Sequence, residues 1–256
     1  MIEQELKIFE EVREAINSIH KDIRIPHPSE KFPKGEIVVP WLTLATLDRV
    51  LFLGGFRISE VCTKPTKEDS GNTSDTLSLE VVTHHNTGEE ALLFKVNTLK
   101  KKITVTREFA LPLNQRHEPW TSMIYYQWSK NEGNPCALDR KTAWAANRLV
   151  FEGLQYKIKA RAIYLKDESG KNLKDENGRS TIEREVKEHY HPGADHLLRH
   201  ARAEELRHLQ LTIEERVSFF KWSSQGFGLN PMLGTYSEPE WFDYFPKFLK
   251  YSREAS

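Results

Sequence analysis

The spacing of hydrophobic residues along the chain predicts a series of helices. Ile2–Lys21 carries apolar residues three and four positions apart, which is typical of an amphipathic helix. Trp41–Leu53 is almost continuously apolar and predicts a buried helix that ends at Gly54 and Gly55, because glycine adopts the left-handed conformation of a helix C-cap. The same pattern predicts a short helix from Arg57, limited by Pro65, and further helices over Pro119–Lys130, Lys141–Tyr156, Ala194–His208, Thr212–Lys221 and Glu240–Lys250.

One group of strand-like segments interrupts these helices. Leu77–Val82, Ala91–Val96 and Arg107–Leu113 are rich in residues that favour strands, and a turn at Asn86–Gly88 separates the first two. The sequence therefore predicts an α+β fold, mostly helical, with a small antiparallel three-stranded sheet.

Proline and polar residues mark two breaks in this pattern. Ile25–Gly35 contains three prolines and a glycine, which exclude a helix and indicate a linker. We therefore divide the chain into residues 1–37, an N-terminal helix with a Pro-rich linker, and residues 38–256, the main domain. Asp167–Ser180 spans two similar charged hexapeptides, which begin at Lys166 and Lys174. This composition predicts an exposed polar hairpin or a flexible loop.

Composition narrows the class of protein. No apolar run approaches the roughly 20 residues that a membrane-spanning helix needs. The N-terminus is acidic and lacks the apolar core of a signal peptide, and two cysteines are too few for a disulfide framework. We therefore expect a cytoplasmic protein without membrane partners, which would associate with the nucleoid if it binds DNA.

The net charge of zero hides a basic middle segment. Ala91–Lys166 carries 14 Lys and Arg against 5 Asp and Glu, a local net charge of +9. A local excess of this kind attracts phosphates. An ordinary solvated surface remains the alternative explanation for the charge alone.

Four residues spread along the chain could together cleave a phosphodiester. The phenol of Tyr236 could attack phosphorus, although its usual pKa of about 10 means that it needs help to lose its proton. Arg57 and Arg199 could each bind two phosphate oxygens, since a guanidinium is planar and stays charged. His196 lies three residues before Arg199, so one helix face presents both side chains, and a histidine could assist proton transfer.

Lys100 and Glu60 complete the set of candidates. Lys100 is expected in the loop between two strands, from which its side chain could reach a DNA groove. There it could protonate the leaving 5′ oxygen. Glu60 is expected to orient Arg57. Each residue alone has an ordinary explanation, since Arg57 could simply pair with Glu60 one turn on and lysine runs are usually solvated.

In this order the residues resemble the tyrosine recombinase (phage integrase) family. The resemblance rests on Gly-Phe-Arg-Ile-Ser-Glu around Arg57, a lysine-bearing β-hairpin, His-Leu-Leu-Arg-His around Arg199, Trp222-Ser-Ser, and Tyr236. It implies a catalytic domain for DNA recombination or integration, as in mobile elements, with a 3′-phosphotyrosyl intermediate and no metal or other cofactor. Trp222 would buttress the site, and the partners would be double-stranded DNA and further copies of the chain, as a tetramer on paired sites.

The chain departs from the family pattern at three places. Gly226–Pro231 lengthens the segment between Trp222 and Tyr236, which leaves Tyr244 and Tyr251 as secondary candidates for the nucleophile. The general acid is open among Lys100, Lys101 and Lys102, of which Lys100 matches best. The family usually carries a helical clamp domain ahead of the catalytic domain, so the sequence is part of a longer protein or belongs to a minimal recombinase.

Three other interpretations of the sequence stay open. His189, His191, His196 and His200 are close enough in sequence for a zinc site, although no HExxH motif is present. A DNA-binding module without catalysis could use the same fold, and a type IB topoisomerase would use the same chemistry. The segment from Tyr244 to Ser256 could dock on a neighbouring copy or pack on its own core.

Overall fold

The computed structural model describes residues 7–26, 35–62, 77–100, 103–130, 136, 138–158, 161–168, 171–187, 189–192, 194–221 and 239–250. The helices are α1 (Ile8–Asn17), α2 (Trp41–Gly54), α3 (Ile58–Val61), α4 (Pro119–Lys130), α5 (Arg140–Val150), α6 (Ala194–His208), α7 (Ile213–Phe220) and α8 (Trp241–Leu249). The strands are β1 (Ile23–Pro26), β2 (Glu36–Val39), β3 (Leu77–Thr83), β4 (Glu90–Lys100), β5 (Ile103–Pro112), β6 (Gln155–Ile158), β7 (Arg161–Tyr164), β8 (Ile182–Val186) and β9 (His189–Pro192).

The predicted α+β fold with a small three-stranded sheet is confirmed. Strands β3, β4 and β5 form an antiparallel sheet in that order, with Phe94 opposite Phe109 and Leu92 opposite Leu111. These four side chains are buried in the main hydrophobic core together with residues of α1, α2 and α6. The core thus lies between one face of the sheet and the helices.

Gly55 ends α2 as the sequence predicts. It takes the left-handed conformation with φ 55°, and its N–H donates to the carbonyls of the last helical turn. A Cβ at this position would collide with the ring of Phe220, so glycine is required by both backbone and packing. This tight end places Phe56 in the core and turns Arg57 towards solvent.

The prediction of a helix over Lys141–Tyr156 is wrong for the second half of that range. Helix α5 ends at Val150, Gly153 has a positive φ of 85°, and Gln155–Ile158 then forms β6. Strand β6 pairs with β9, more than thirty residues later in the chain, and such a distant partner leaves no mark on local periodicity. The short ladders β1–β2 and β7–β8 were not predicted either, although their strands lie closer together in the chain.

The two charged hexapeptides form an exposed hairpin. Isolated bridges join Lys166 to Asn172 and Lys174 to Ser180, beyond the end of the β7–β8 ladder at Tyr164 and Ile182. The aspartate that opens each turn, Asp167 or Asp175, accepts a backbone N–H at 2.9 or 2.8 Å. The exposed polar hairpin is therefore the correct one of the two predicted alternatives.

Both ends of the described chain pack on the main core. Phe9, Val12 and Ile16 of α1 are buried in the same cluster as α2 and α6, so the helix of the 1–37 segment shares the core of residues 38–256. Tyr244 and Phe248 of α8 are buried there as well, which places this helix on its own chain. None of the helices that the structure describes has the length and hydropathy of a membrane-spanning segment.

Asp48 is a buried carboxyl that is expected to make stability fall with rising pH. Its Oδ1 accepts from Asn147 Nδ2 at 2.8 Å, whereas its Oδ2 and the Oδ1 of Asn147 have no hydrogen-bond partner in the described part of the chain. Burial raises the pKa of Asp48 to about 8, against the weaker opposing effects of Asn147 and Arg49. The folded protein thus holds a proton that the unfolded chain releases. The stability from this proton is complete below pH 3.8 and is lost as the pH rises through about 8.

Asp48→Asn should remove most of this pH dependence. The amide of the variant is neutral at every pH. Its oxygen still accepts from Asn147 Nδ2, and its nitrogen offers a donor to the Oδ1 of Asn147. We expect a rise in the free energy of unfolding at pH 8–9, and loss of a slope of about 1.4 kcal/mol per pH unit. Urea unfolding between pH 5 and 9 measures it, with the exposed Asp175→Asn as control. An unchanged slope in Asp48→Asn would contradict the assignment.

Candidate functional site

The backbone after α2 presents Arg57 at the start of α3. Arg57 is the N-cap residue, its side chain is exposed, and its backbone N–H donates to Glu60 Oε2 at 2.8 Å. Glu60 thus closes the first turn of α3 by a capping bond from its carboxylate. This bond fixes the position of the Arg57 backbone while leaving its guanidinium free to face a ligand.

Arg199 reaches the same place from α6. Its Nη1 donates to the carbonyl of Gly55 at 2.7 Å, and the same nitrogen lies 3.9 Å from Glu60 Oε2. Its guanidinium also lies over the ring of Phe220, 5.1 Å from the centroid. The side chain is largely buried, with 12% of its surface exposed. The structure thus brings Arg199 to Glu60 and to the segment that carries Arg57.

Glu60 contacts Arg199 as well as the backbone of Arg57. The sequence assigned it only the orientation of Arg57, and the 3.9 Å approach of Arg199 adds a second partner. One carboxylate therefore ties the N-terminus of α3 to α6. The two arginines are held in place through a shared neighbour rather than through each other.

The electrostatics of this cluster favour an anion. Burial lowers the pKa of Arg199, Glu60 opposes that effect, and the nearby charge of Arg57 lowers the pKa further. Two guanidiniums that repel each other next to one carboxylate leave a surplus of positive charge. A phosphate between them would relieve the repulsion and satisfy donors of both side chains.

Arg107 lies behind the cluster, and sequence reasoning missed it. It is buried among the rings of Phe56, Phe109, Phe219 and Phe220, with guanidinium-to-centroid distances between 4.7 and 5.4 Å. It donates to the carbonyls of Gly54 and Phe219, and so joins β5 to the ends of α2 and α7.

Burial, together with the nearby charge of Arg199, lowers the pKa of Arg107 to about 9. One signal in the sequence could have revealed its position. Arg107 occupies an inward place in the alternation of β5, two residues before Phe109, where an apolar residue is normal. It thus adds a buried positive charge beneath the proposed phosphate site.

The two histidines of the motif on α6 lie on its exposed side. His196 is exposed one turn before Arg199. His200 stacks on the buried Tyr156 of β6, with the ring centroids 4.2 Å apart. No group of three or more His, Cys, Asp or Glu side chains in the described part of the chain is arranged to hold a metal ion.

Lys100 is the last residue of β4, opposite Ile103. The sequence predicted it in a loop, but β4 and β5 continue further than expected because Thr98, Leu99, Thr104 and Val105 keep strands paired up to the turn. The backbone therefore places Lys100 at the end of the hairpin. Lys101 and Lys102 lie outside the described residues.

Trp222 and Tyr236 also lie outside the described residues, but the structure fixes both ends of their segment. On one side, Phe220 packs against Arg199, and Lys221 follows as the C-cap of α7. On the other side, Ser218 Oγ donates to the carbonyl of Pro239 at 2.5 Å. The described residues on both sides of this segment thus meet at α7, whose Phe220 contacts Arg199.

Tyr244 is in the hydrophobic core. It is fully buried, and burial raises its pKa well above the usual range, although the nearby Arg107 opposes this effect. A buried phenol that keeps its proton cannot reach a DNA phosphate. Of the two secondary candidates for the nucleophile, Tyr244 is therefore poorly placed, and Tyr251 lies outside the described residues.

A scan against protein-family models, a search of the curated proteins and a search of the solved structures each found no match to this chain. The resemblance to tyrosine recombinases therefore rests on the residues quoted above.

Proposed function

We propose that this protein is a tyrosine-type DNA strand transferase, a site-specific recombinase that cleaves and rejoins DNA. One observation carries the proposal: Arg199 bonds to the carbonyl of Gly55, 144 residues earlier in the chain, and so meets the segment that presents Arg57. Two arginines from distant parts of the chain thus approach each other in an arrangement suited to one phosphate. The basic segment from Ala91 to Lys166 supports binding of duplex DNA around that cluster.

Each proposed role follows from the chemistry of the side chain. Arg57 and Arg199 bind the two non-bridging oxygens of the scissile phosphate and stabilise the charge that develops in the transition state. The Tyr236 oxygen attacks phosphorus and forms the 3′-phosphotyrosyl bond, while its proton passes to a base such as His196. The bond to the 5′ oxygen breaks, and Lys100 protonates that oxygen to give a free 5′-hydroxyl. Trp222 buttresses the site, and rejoining reverses these steps.

Exchange of strands between two DNA sites would require several copies of the chain, which we propose to assemble as a tetramer. Since α8 packs on its own chain as far as Leu249, the proposed contacts between copies do not require the α8 helix itself. The proposed location is the cytoplasm, with the protein on the nucleoid when it binds DNA.

Tyr236→Phe is expected to abolish covalent attachment to DNA, because it removes only the attacking oxygen. The substrate is a pool of duplexes with randomised centres, each carrying a nick that lets the 5′-hydroxyl fragment diffuse away and traps the intermediate. Protein-linked DNA is then measured on a denaturing gel. We expect adducts with the unchanged chain and none above background with Tyr236→Phe.

Tyr244→Phe is the matched control for this experiment. It removes a buried hydroxyl that has no hydrogen-bond partner in the described part of the chain, so the fold and the adduct should both persist. Tight DNA binding without any adduct in the unchanged chain would instead identify a non-catalytic DNA-binding module. Relaxation of supercoiled plasmid without site preference would favour the topoisomerase alternative.

A further inference from the structure

A second site with positive charge lies on α2, separate from the arginine cluster. An open groove of about 380 Å³ runs between α2 and α4 and is lined by Leu42, Arg49, Gln115, Ser122, Met123, Tyr126 and Gln127. Its volume falls in the range of small-molecule sites, about 300–1,000 Å³. The proposed DNA chemistry uses none of these residues.

Arg49 is the unusual member of this lining. Only 6% of its surface is exposed, and its Nε has no hydrogen-bond partner among the residues that the structure describes. In the described part of the chain it forms no salt bridge within 4.0 Å, and its only close ring is Trp120, 5.8 Å away. A largely buried guanidinium without an ion pair is unfavourable for folding, and an anion in the groove would offset that cost.

The neighbouring Asp48 does not supply that partner. Its carboxyl turns towards α5 and is bonded to Asn147, and burial keeps it protonated up to about pH 8. Burial lowers the pKa of Arg49, and the nearby Asp48 only partly opposes that effect, so in the described part of the chain Arg49 has no salt bridge, and it lines a groove that solutes can enter.

The rest of the groove indicates what the anion is attached to. Met123 and Tyr126 have exposed fractions of 43% and 55%, and Leu42 has 36%, so these apolar side chains lie open to solvent around the groove. The amides of Gln115 and Gln127 add polar groups at its wall. We propose that this groove binds a small organic anion, whose carboxylate or phosphate pairs with Arg49 and whose apolar body packs on Leu42, Met123 and Tyr126.

Phenyl phosphate and phenylacetate serve as probes, with benzyl alcohol and inorganic phosphate as matched compounds that lack the charge or the ring. Calorimetric titrations use the full chain carrying Arg199→Ala, so that the arginine cluster does not contribute to phosphate binding. We expect phenyl phosphate or phenylacetate to bind at least tenfold more tightly than either matched compound. Comparing the two acids distinguishes a phosphate ligand from a carboxylate ligand.

Arg49→Met then separates ligand binding from structural support. Because the substitution removes an unpaired buried charge and keeps much of the side-chain volume, we expect the thermal unfolding midpoint to stay equal or rise. The affinity for the acidic probe should fall about 10- to 100-fold, as for loss of a charged hydrogen bond. Arg148→Met, which removes an exposed guanidinium above Trp144, should change neither property.

A second variant keeps the proposal testable if Arg49→Met unfolds. Met123→Glu places a carboxylate on the exposed rim of the groove, where it should pair with Arg49 or repel the ligand and abolish binding. Unchanged affinity in Met123→Glu and Arg49→Met would overturn the proposal. So would equal binding of benzyl alcohol and phenyl phosphate, or failure of both acidic probes to bind.

Discussion

Arg199→Ala is expected to reduce DNA strand cleavage about 100- to 1,000-fold, the usual effect of removing one preorganised donor to a transition state. Most of the affinity for duplex DNA should remain, because other basic residues contact the backbone. Arg57→Ala should behave in the same way, since both guanidiniums are proposed to bind one phosphate. Adduct formation on nicked duplexes measures cleavage, and a filter or gel-shift titration at fixed salt measures binding.

The control for Arg199→Ala lies on the same helix. Arg207 is exposed and pairs with Glu204 at 3.6 Å, so Arg207→Ala should leave cleavage within a few-fold of the unchanged chain. The thermal midpoint of Arg199→Ala must also be recorded, because Arg199 bonds to Gly55. Equal loss of binding and cleavage in a folded Arg199→Ala protein would refute the separate roles of the arginines.

Glu205→Gln is expected to lower the free energy of unfolding by about 3–5 kcal/mol, because it leaves two buried arginines short of a counter-ion. Glu205 is 1% exposed, and its Oε1 accepts from Arg13 Nε at 2.8 Å. Its Oε2 accepts from Arg202, which is fully buried. Glu118 completes the group with a bond of 2.7 Å to Arg13, so the network joins α1 to α6 and to the start of α4.

The pKa shifts of this network show why the carboxylate is needed. Burial alone would lower the pKa of Arg13, but Glu118 and Glu205 raise it above the usual value. Burial lowers the pKa of Arg202, and Glu205 opposes that effect. Glu204→Gln is the matched control one residue earlier, since its partner Arg207 is exposed, and it should change stability by less than about 0.5 kcal/mol. Equal losses in the two variants, measured by urea unfolding, would contradict the argument.

The sequence predicted correctly those helices and helix ends that are determined by residues close together in the chain. Helices α4 and α6 have the predicted bounds, and Gly55 ends α2, because periodicity and the conformational freedom of glycine act within a few residues. Strands β6 and β9 depend on a partner far along the chain, so no local pattern marks them. The prediction of a helix over Lys141–Tyr156 was wrong in its second half for this reason.

The candidate site divides in the same way. The positions of Arg57 and Arg199 in two motifs predicted their meeting, and in the structure Arg199 contacts Glu60 and Gly55, which flank Arg57 in the chain. Arg107 was missed because a buried arginine on a strand is recognised only when its carbonyl partners and ring neighbours are known. Trp222 and Tyr236 stay predictions, as does the side-chain role of Lys100.

Mass spectrometry of the trapped adduct tests the central claim most directly. After nicked duplexes have reacted with the unchanged chain, proteolysis and nuclease digestion leave one peptide that carries a nucleotide. The account predicts that this nucleotide is joined through its 3′ phosphate to Tyr236, and that the released DNA fragment carries a free 5′-hydroxyl. Attachment to another residue, linkage through a 5′ phosphate, or binding of DNA with no adduct at all would contradict it.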